Sequence, residues 1–295
     1  MGVGRILGRL ALAGAGAVAA QGIQRALRAS SLSKDLERTN FRGSTVNLAG
    51  GPALAVSAAV TSAAGAPTGR AATAALVAGL GSGAVGFYDD VVGVRPEHKA
   101  KGFRGHLGAL REGRVTSGFV KIAGVGAAGL AASALLTRSR GRGAVTTVID
   151  TALGAGVIAG AANLFNLLDL RPGRALKAGV LAGTPLAGGT TGGLVAGPLG
   201  AVAGSLPPDL AEETMLGDCG ANALGAVLGT AYAARTGPVG RFAALAVLAG
   251  LTAASEKVSF TKVIERTPGL RELDAFGRMK ADKPDIQVEK LPIDD

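Results

Sequence analysis

The sequence predicts an all-α, polytopic integral membrane protein of about nine transmembrane helices, and three observations predict it. The first is the length of the stretches without a formal charge: residues 43–69, 71–88, 151–168 and 178–208 run for 27, 18, 18 and 31 positions. About 17 to 25 predominantly apolar residues cross a bilayer. The second is glycine, at 48 of 295 residues, more than double the usual roughly 7%. Alanine fills most of the remaining apolar positions, and such small residues let membrane helices approach closely. The third is the distribution of basic residues, which selects one orientation for the whole chain. With no Trp and two Tyr there is no aromatic belt, so each span is only weakly hydrophobic.

Taken in order, the candidate spans are 3–20, 47–66, 71–88, 117–136, 144–165, 175–189, 191–206, 219–234 and 239–254. From an outside N-terminus, the inside connections are 21–46, 89–121, 169–177, 207–218 and the tail from 255, and these hold 23 of the 31 Lys and Arg. That excess obeys the positive-inside rule, and the opposite orientation inverts it. The first span, "GRILGRLALAGAGAVAAQ", also has the form of a signal peptide with an A-x-A site at Ala17 to Ala19. Cleavage there would put Arg25, Arg28, Lys34, Arg38 and Arg42 outside, so the span is read as retained. Residues 178–208 would form a single helix of about 46 Å, too long for a roughly 30 Å core, or two short ones. "TPLAGGTTGG" in the middle favours a turn. Asp150 falls near the outer end of the fifth span and is expected at the interface.

These spans make residues 1–254 one transmembrane domain. Residues 255–280 carry Val258, Val263, Leu270, Leu273 and Phe276 and are expected to form interfacial helices on the membrane. The tail 281–295 is charged, contains two prolines and has no hydrophobic periodicity, so disorder is expected. A single cysteine, Cys219, excludes an intrachain disulfide and a CxxC metal site. A net charge of +10 spread over short loops, with few aromatic residues, points to anionic lipid headgroups and away from nucleic acid. "GVGAAG" at 124–129 matches G-x-G-x-x-G but lies within a span with no strand before it, where helix packing is the reading.

Four polar clusters reach the same face in this topology: "TNFRGSTVNLAGGP" from Thr39, "GFYDDVVG" from Gly86, "NLFNLLDLRPGRALK" from Asn163 and "MLGDCGANALG" from Met215. An odd change in the number of intervening spans would scatter them over both faces. Asn163, Asn166 and Asp169 are spaced by three and share one face of a helix leaving the membrane. Asp89 and Asp90 stand side by side next to apolar surface, where two anions repel and lose solvation, so a cation is expected near them. With Asp169 and Asp218 they supply enough oxygen to hold one Mg²⁺, which takes one or two carboxylates plus phosphate and water.

On these residues the chain resembles the polyprenyl-phosphate N-acetylhexosamine-1-phosphate transferase superfamily, which includes phospho-N-acetylmuramoyl-pentapeptide transferase. The matches are Gly50 and Gly51 before a helix, the Asp89 and Asp90 pair, Asn163 with Asn166 and Asp169, and Met215 to Gly220 with Leu216 inserted. The resemblance covers residue 39 to about 230 and implies transfer of a sugar-1-phosphate from a UDP-sugar to polyprenyl phosphate at the cytoplasmic face of the cell membrane. It implies Mg²⁺ held by Asp218 and Asp89, with Asp90 polarising the lipid phosphate or supporting the metal ligands. Asn163, Asn166 and Asp169 would then meet the donor, and Lys99, Lys101, Arg104 and Arg42 the phosphates. Lipid-headgroup contact is the competing role for those four basic residues.

Departures from that pattern leave other functions open. Pro172 stands where the family has a later aspartate, and Leu170 replaces a glycine. The last inside region, "EKVSFTKVIERTPGLRELDAFGR", has none of the family's clustered histidines, the chain's two being His98 and His106. An altered relative that binds polyprenyl phosphate or nucleotide-sugar as a partner in envelope assembly fits those losses. A small-solute transporter fits the glycine-rich helices and Asp150, but not the order of the motifs. The donor sugar and the oligomeric state stay open, a homo-oligomer included.

Overall fold

A computed structural model of the chain describes residues 2–93, 108, 115–137 and 143–279. Their secondary structure is almost entirely helical. Nine helices among the described residues follow the nine candidate spans: α1 (Val3–Ala29), α2 (Gly50–Ala64), α3 (Gly69–Val92), α4 (Ser117–Thr137), α5 (Ala144–Leu168), α6 (Arg174–Gly183), α7 (Gly193–Leu210), α8 (Gly217–Arg235) and α9 (Pro238–Ser255). Two short helices, α10 (Phe260–Arg266) and α11 (Leu270–Ala275), follow. The only strands among these residues, β1 (Glu37–Thr39) and β2 (Thr45–Asn47), form an antiparallel hairpin with Arg38 opposite Val46.

Five of the described helices, α1, α3, α4, α5 and α9, are long and apolar enough to cross a membrane. The others depart from that standard for different reasons. α2 is apolar but has 15 residues. α6 has 10 residues, about 15 Å at the helical rise. It turns through residues 184–192 into α7, so 178–208 is two helices joined by a bend. α7 and α8 fall outside the apolar set and lie nearly wholly inside the bundle. Their Gly and Ala residues trade hydropathy for close contact between helices.

Successive long helices run in opposite directions, as contacts at the two ends show. At one end the Arg9 guanidinium donates to the Ala187 and Gly189 carbonyls, and Arg235 donates to Gly188 O at 2.7 Å. At the other end Gln24 donates to Thr214 Oγ1 at 2.6 Å, Arg28 pairs with Glu213 at 2.7 Å, and Arg38 donates to Asp90 O at 3.0 Å. β2 is stitched to the segment before α8, where the Met215 N–H donates to Asn47 O at 2.9 Å. All four polar clusters therefore gather at this second end.

The centre of the bundle is α8, packed against α2, α3 and α5. Its approach to α2 depends on Gly51, where an added Cβ would drive into Leu216 O and lie 3.1 Å from Cys219 Cβ. α9 is peripheral, and Arg241 is its only buried residue. The Arg241 guanidinium donates to Asp150 Oδ1 at 2.8 Å and to the Ala233 carbonyl near the end of α8, and both side chains of the ion pair are fully buried. Asp150 thus lies inside the protein, not at the interface expected of it, because Arg241 supplies its counter-charge.

Breaking a buried pair by removing one partner leaves a charge without compensation. Asp150→Ala is therefore expected to destabilise the detergent-solubilised protein by about 3–5 kcal/mol. The double substitution Asp150→Leu with Arg241→Met should lose markedly less. Unfolding curves in mixed micelles check this, and equal losses for the single and double variants would contradict it.

Candidate functional site

The site is built around the start of α8. Gly217 has a φ of 57°, a left-handed conformation that disfavours any side chain. A Cβ there would also lie 2.8 Å and 2.9 Å from the two carboxylate oxygens of Asp90. This tight turn presents the first amides of α8, which have no partner within the helix, to acidic side chains from neighbouring elements. Asp90 accepts from the Asp218 N–H and the Cys219 N–H, one on each oxygen, both at 2.9 Å. The Asp169 carboxylate, just past the end of α5, accepts from the Gly217 N–H.

Asp89 and Asp218 converge on one cation, the Lys121 ammonium, which lies 2.7 Å from Asp89 Oδ2 and 2.5 Å from Asp218 Oδ2. Lys121 sits in the second turn of α4, next to the Ser117 hydroxyl that also donates to Asp89. The Asn166 amide donates to the remaining oxygen of Asp218. The two adjacent aspartates of α3 thus have separate tasks: Asp90 caps α8, and Asp89 faces Lys121 across from Asp218.

The structure brings Asp89, Asp90, Asp169, Asp218 and Asn166 together and separates others from them. Asn163 donates instead to Thr252 Oγ1 of α9 at 3.0 Å. Arg42 pairs with Glu212 at 3.2 Å, donates to Met279 O and lies over the Phe41 ring. Lys99, Lys101 and Arg104 lie outside the described residues. Sequence reasoning missed Lys121, whose signal was a lone charge inside an apolar span. It also missed Asp209, which accepts from the Gly173 N–H at 2.5 Å, and Asn222, buried in α8.

Two cavities open beside this centre. One, of about 460 Å³, lies between α4, α5 and α9; its polar lining is Lys121, Asn163, Asn166, Asn222, Thr252 and, just past the end of α9, the acidic Glu256, and Ile122, Val125, Leu245 and Leu248 form its apolar wall. The Asn222 amide nitrogen is buried and has no hydrogen-bond partner among the described residues. The other, of about 220 Å³, lies between the hairpin and the 169–172 loop and includes Phe41, Asp169, Arg171, Asp209 and Glu212. The Arg171 guanidinium stacks 4.4 Å from the centre of the Phe41 ring.

Among the described residues no group of three or more His, Cys, Asp or Glu side chains is arranged as a metal cage. Asp89 and Asp218 offer oxygens that meet at one cationic point, the Lys121 ammonium. Four carboxylates gather here, and among the described residues the cationic groups that reach Asp89, Asp90 and Asp218 are Lys121 and Arg38, the latter only through the Asp90 carbonyl. A divalent cation fits the excess negative charge, since Mg²⁺ needs only one or two protein carboxylates when a phosphate supplies other ligands. Comparison of the chain with protein-family models, curated proteins and solved structures finds no match.

Burial, and then the neighbouring carboxylates of Asp209, Asp218 and Asp90, push the Asp169 carboxyl well above the ordinary carboxylate range, against the lowering effect of its bond from Gly217. A raised acid keeps its proton in the folded chain after the unfolded chain has lost it. Stability therefore falls as pH rises from the ordinary carboxylate range through the folded pKa. Asp169→Asn, whose amide oxygen can still accept from Gly217, is expected to flatten this fall and to be at least as stable as the wild type above it. Thermal melts across acid and neutral pH check this, and a steeper fall in the variant would contradict it.

Proposed function

We propose that the protein transfers a sugar-1-phosphate from a UDP-sugar to polyprenyl phosphate within a membrane, with Mg²⁺ as cofactor. The observation that carries this reading is the convergence of Asp89, Asp218, Lys121 and Asn166, the last two of which line a largely apolar cavity between helices. A lipid-linked phosphate needs an apolar channel for its chain and cationic or amide donors for its head, and this cavity offers both. The distribution of basic residues supports nine spans with the site on the cytoplasmic side. On this reading α6 and α7 are the sixth and seventh spans, a hairpin whose tip at residues 187–189 reaches the end of the bundle opposite the site, beside Arg9 and Arg235.

In the reaction proposed, an oxygen of the polyprenyl phosphate forms a bond to the β-phosphorus of the UDP-sugar. The bond from that phosphorus to the oxygen bridging to UMP breaks, and UMP leaves with the electron pair. A phosphate monoester is largely ionised at neutral pH, so no strong general base is required. Asp89 and Asp218 would hold Mg²⁺, which when bound would neutralise the donor's diphosphate and the charge developing on UMP. Lys121, which lines that cavity, would meet phosphate oxygens. Asn166 fixes the orientation of Asp218 through its hydrogen bond. Asp90, with both oxygens engaged by α8 amides, acts as a positioning residue. The cavity beside Asp169 and Phe41 has the size for a flat ring of the donor.

One observation favours a second reading. Lys121 already pairs with both carboxylates of the metal locus, as a protein that binds polyprenyl phosphate without catalysing transfer would allow. Radiolabelled UDP-N-acetylglucosamine and UDP-N-acetylmuramoyl-pentapeptide, each offered with undecaprenyl phosphate with and without Mg²⁺, separate the two. The transferase reading expects label in the lipid fraction only with Mg²⁺. It also expects a loss of about a thousandfold or more in Asp89→Asn and Asp218→Asn, equivalent to several kcal/mol of transition-state stabilisation. No transfer with any donor, or near-normal turnover in either folded variant, would contradict it.

A further inference from the structure

We infer that Lys121 is a resident counter-ion that a divalent cation displaces from Asp89 and Asp218, and that the displaced ammonium then binds the anion entering the cavity between α4, α5 and α9. The inference rests on the proposed function for the identity of that anion, a phosphate, but not for the exchange itself. Two carboxylates so close together repel strongly unless something cationic stands between them. The Lys121 ammonium does so at 2.7 Å and 2.5 Å. A divalent cation bound by the same two oxygens would meet like charge at the ammonium, so the two are alternative partners of one pair of carboxylates.

The Lys121 side chain has somewhere else to go. It is partly exposed and lines the cavity of about 460 Å³, and lysine's flexible stem lets its charge swing. Asn222 lines the same cavity, with a buried amide nitrogen that has no hydrogen-bond partner among the described residues. A buried donor of this kind costs stability unless an acceptor arrives. An anionic oxygen in the cavity would take the Asn222 N–H and the freed ammonium together. Metal binding and anion binding therefore assist each other, because the metal releases the cation that the anion needs. Without metal, Lys121 keeps the carboxylates neutralised and the cavity less attractive to phosphate.

The experiment uses the full chain in detergent, with metal or inorganic phosphate as the only additions. Titration with Mn²⁺ followed by electron paramagnetic resonance should show Lys121→Met binding the metal more tightly than the wild type, on the order of tenfold, as is usual for coupled sites. Asp218→Asn should lose that binding. Equal affinity in Lys121→Met and the wild type, or no binding in either, would overturn the inference. A second measurement uses only the wild type and does not depend on the variant folding: acetylation of Lys121 read by mass spectrometry. Mg²⁺ should raise labelling of Lys121 several-fold, and phosphate should lower it again only when Mg²⁺ is present. Labelling unchanged by Mg²⁺, or phosphate protection that is the same without it, would overturn the inference. Because no sugar donor or lipid acceptor is present, failure of sugar transfer leaves these results standing, and failure here leaves the transfer assay standing.

Discussion

The amides that open α8 have no carbonyl partner in their own helix, and Gly217 and Cys219 are buried, so acceptors must come from neighbouring elements. Asp90 and Asp169 answer that need from two different helices, α3 and the end of α5. At the other end of α8 the Arg241 guanidinium takes the Ala233 carbonyl. Acid at the start and base at the finish complement the helix dipole. Three neighbouring elements are thereby tied to one central helix, and the rest of the arrangement depends on that. Once Asp90 is committed to α8, its neighbour Asp89 is held beside Asp218 with no freedom to turn away, and the two require the Lys121 charge between them.

Close packing makes these polar links possible. The first turn of α8 lies so near α2 that only glycine fits at Gly51, and the turn at Gly217 exists because its positive φ lets the amides aim at Asp90. Small residues on α7 and α8 keep the backbone separations short enough for short side chains to reach. The C-terminal segment reinforces the same end. Asp274 pairs with Arg174 at 2.7 Å and with Arg278 at 2.5 Å, and Arg278 donates to Pro172 O at 2.9 Å, holding the 169–173 loop in place.

Much of the helical order was legible in the sequence because charge-free runs mark helices that a membrane or a bundle interior must cover. Their relative depth was not, since Gly and Ala residues read alike on a lipid-facing and a buried helix, and only packing distinguishes α8 from α9. Within the site, the type and order of Asp89, Asp90, Asp169 and Asp218 were readable, but the division of labour was not. Nothing in "YDD" says that one carboxylate caps a helix 128 residues on and the other meets a lysine. Lys121 went unread because it sits a few residues inside an otherwise apolar run, where it looks like the edge of a loop. Asn163 illustrates the limit of spacing arguments: it shares a face with Asn166, yet α9 lies close enough to claim it through Thr252.

The central claim is that alternating helices gather the four polar clusters at one membrane face. Single cysteines introduced into a Cys219→Ala background, and probed with a membrane-impermeant thiol reagent from each side, test it most directly. The account predicts that positions beside Phe41, Val91, Leu170 and Glu213 label from one side, and positions beside Ala66, Gly189 and Thr236 from the other. Labelling of the Leu170 and Glu213 positions from opposite sides would contradict it, because the hairpin of α6 and α7 would then have changed the parity that brings Asp218 to Asp89.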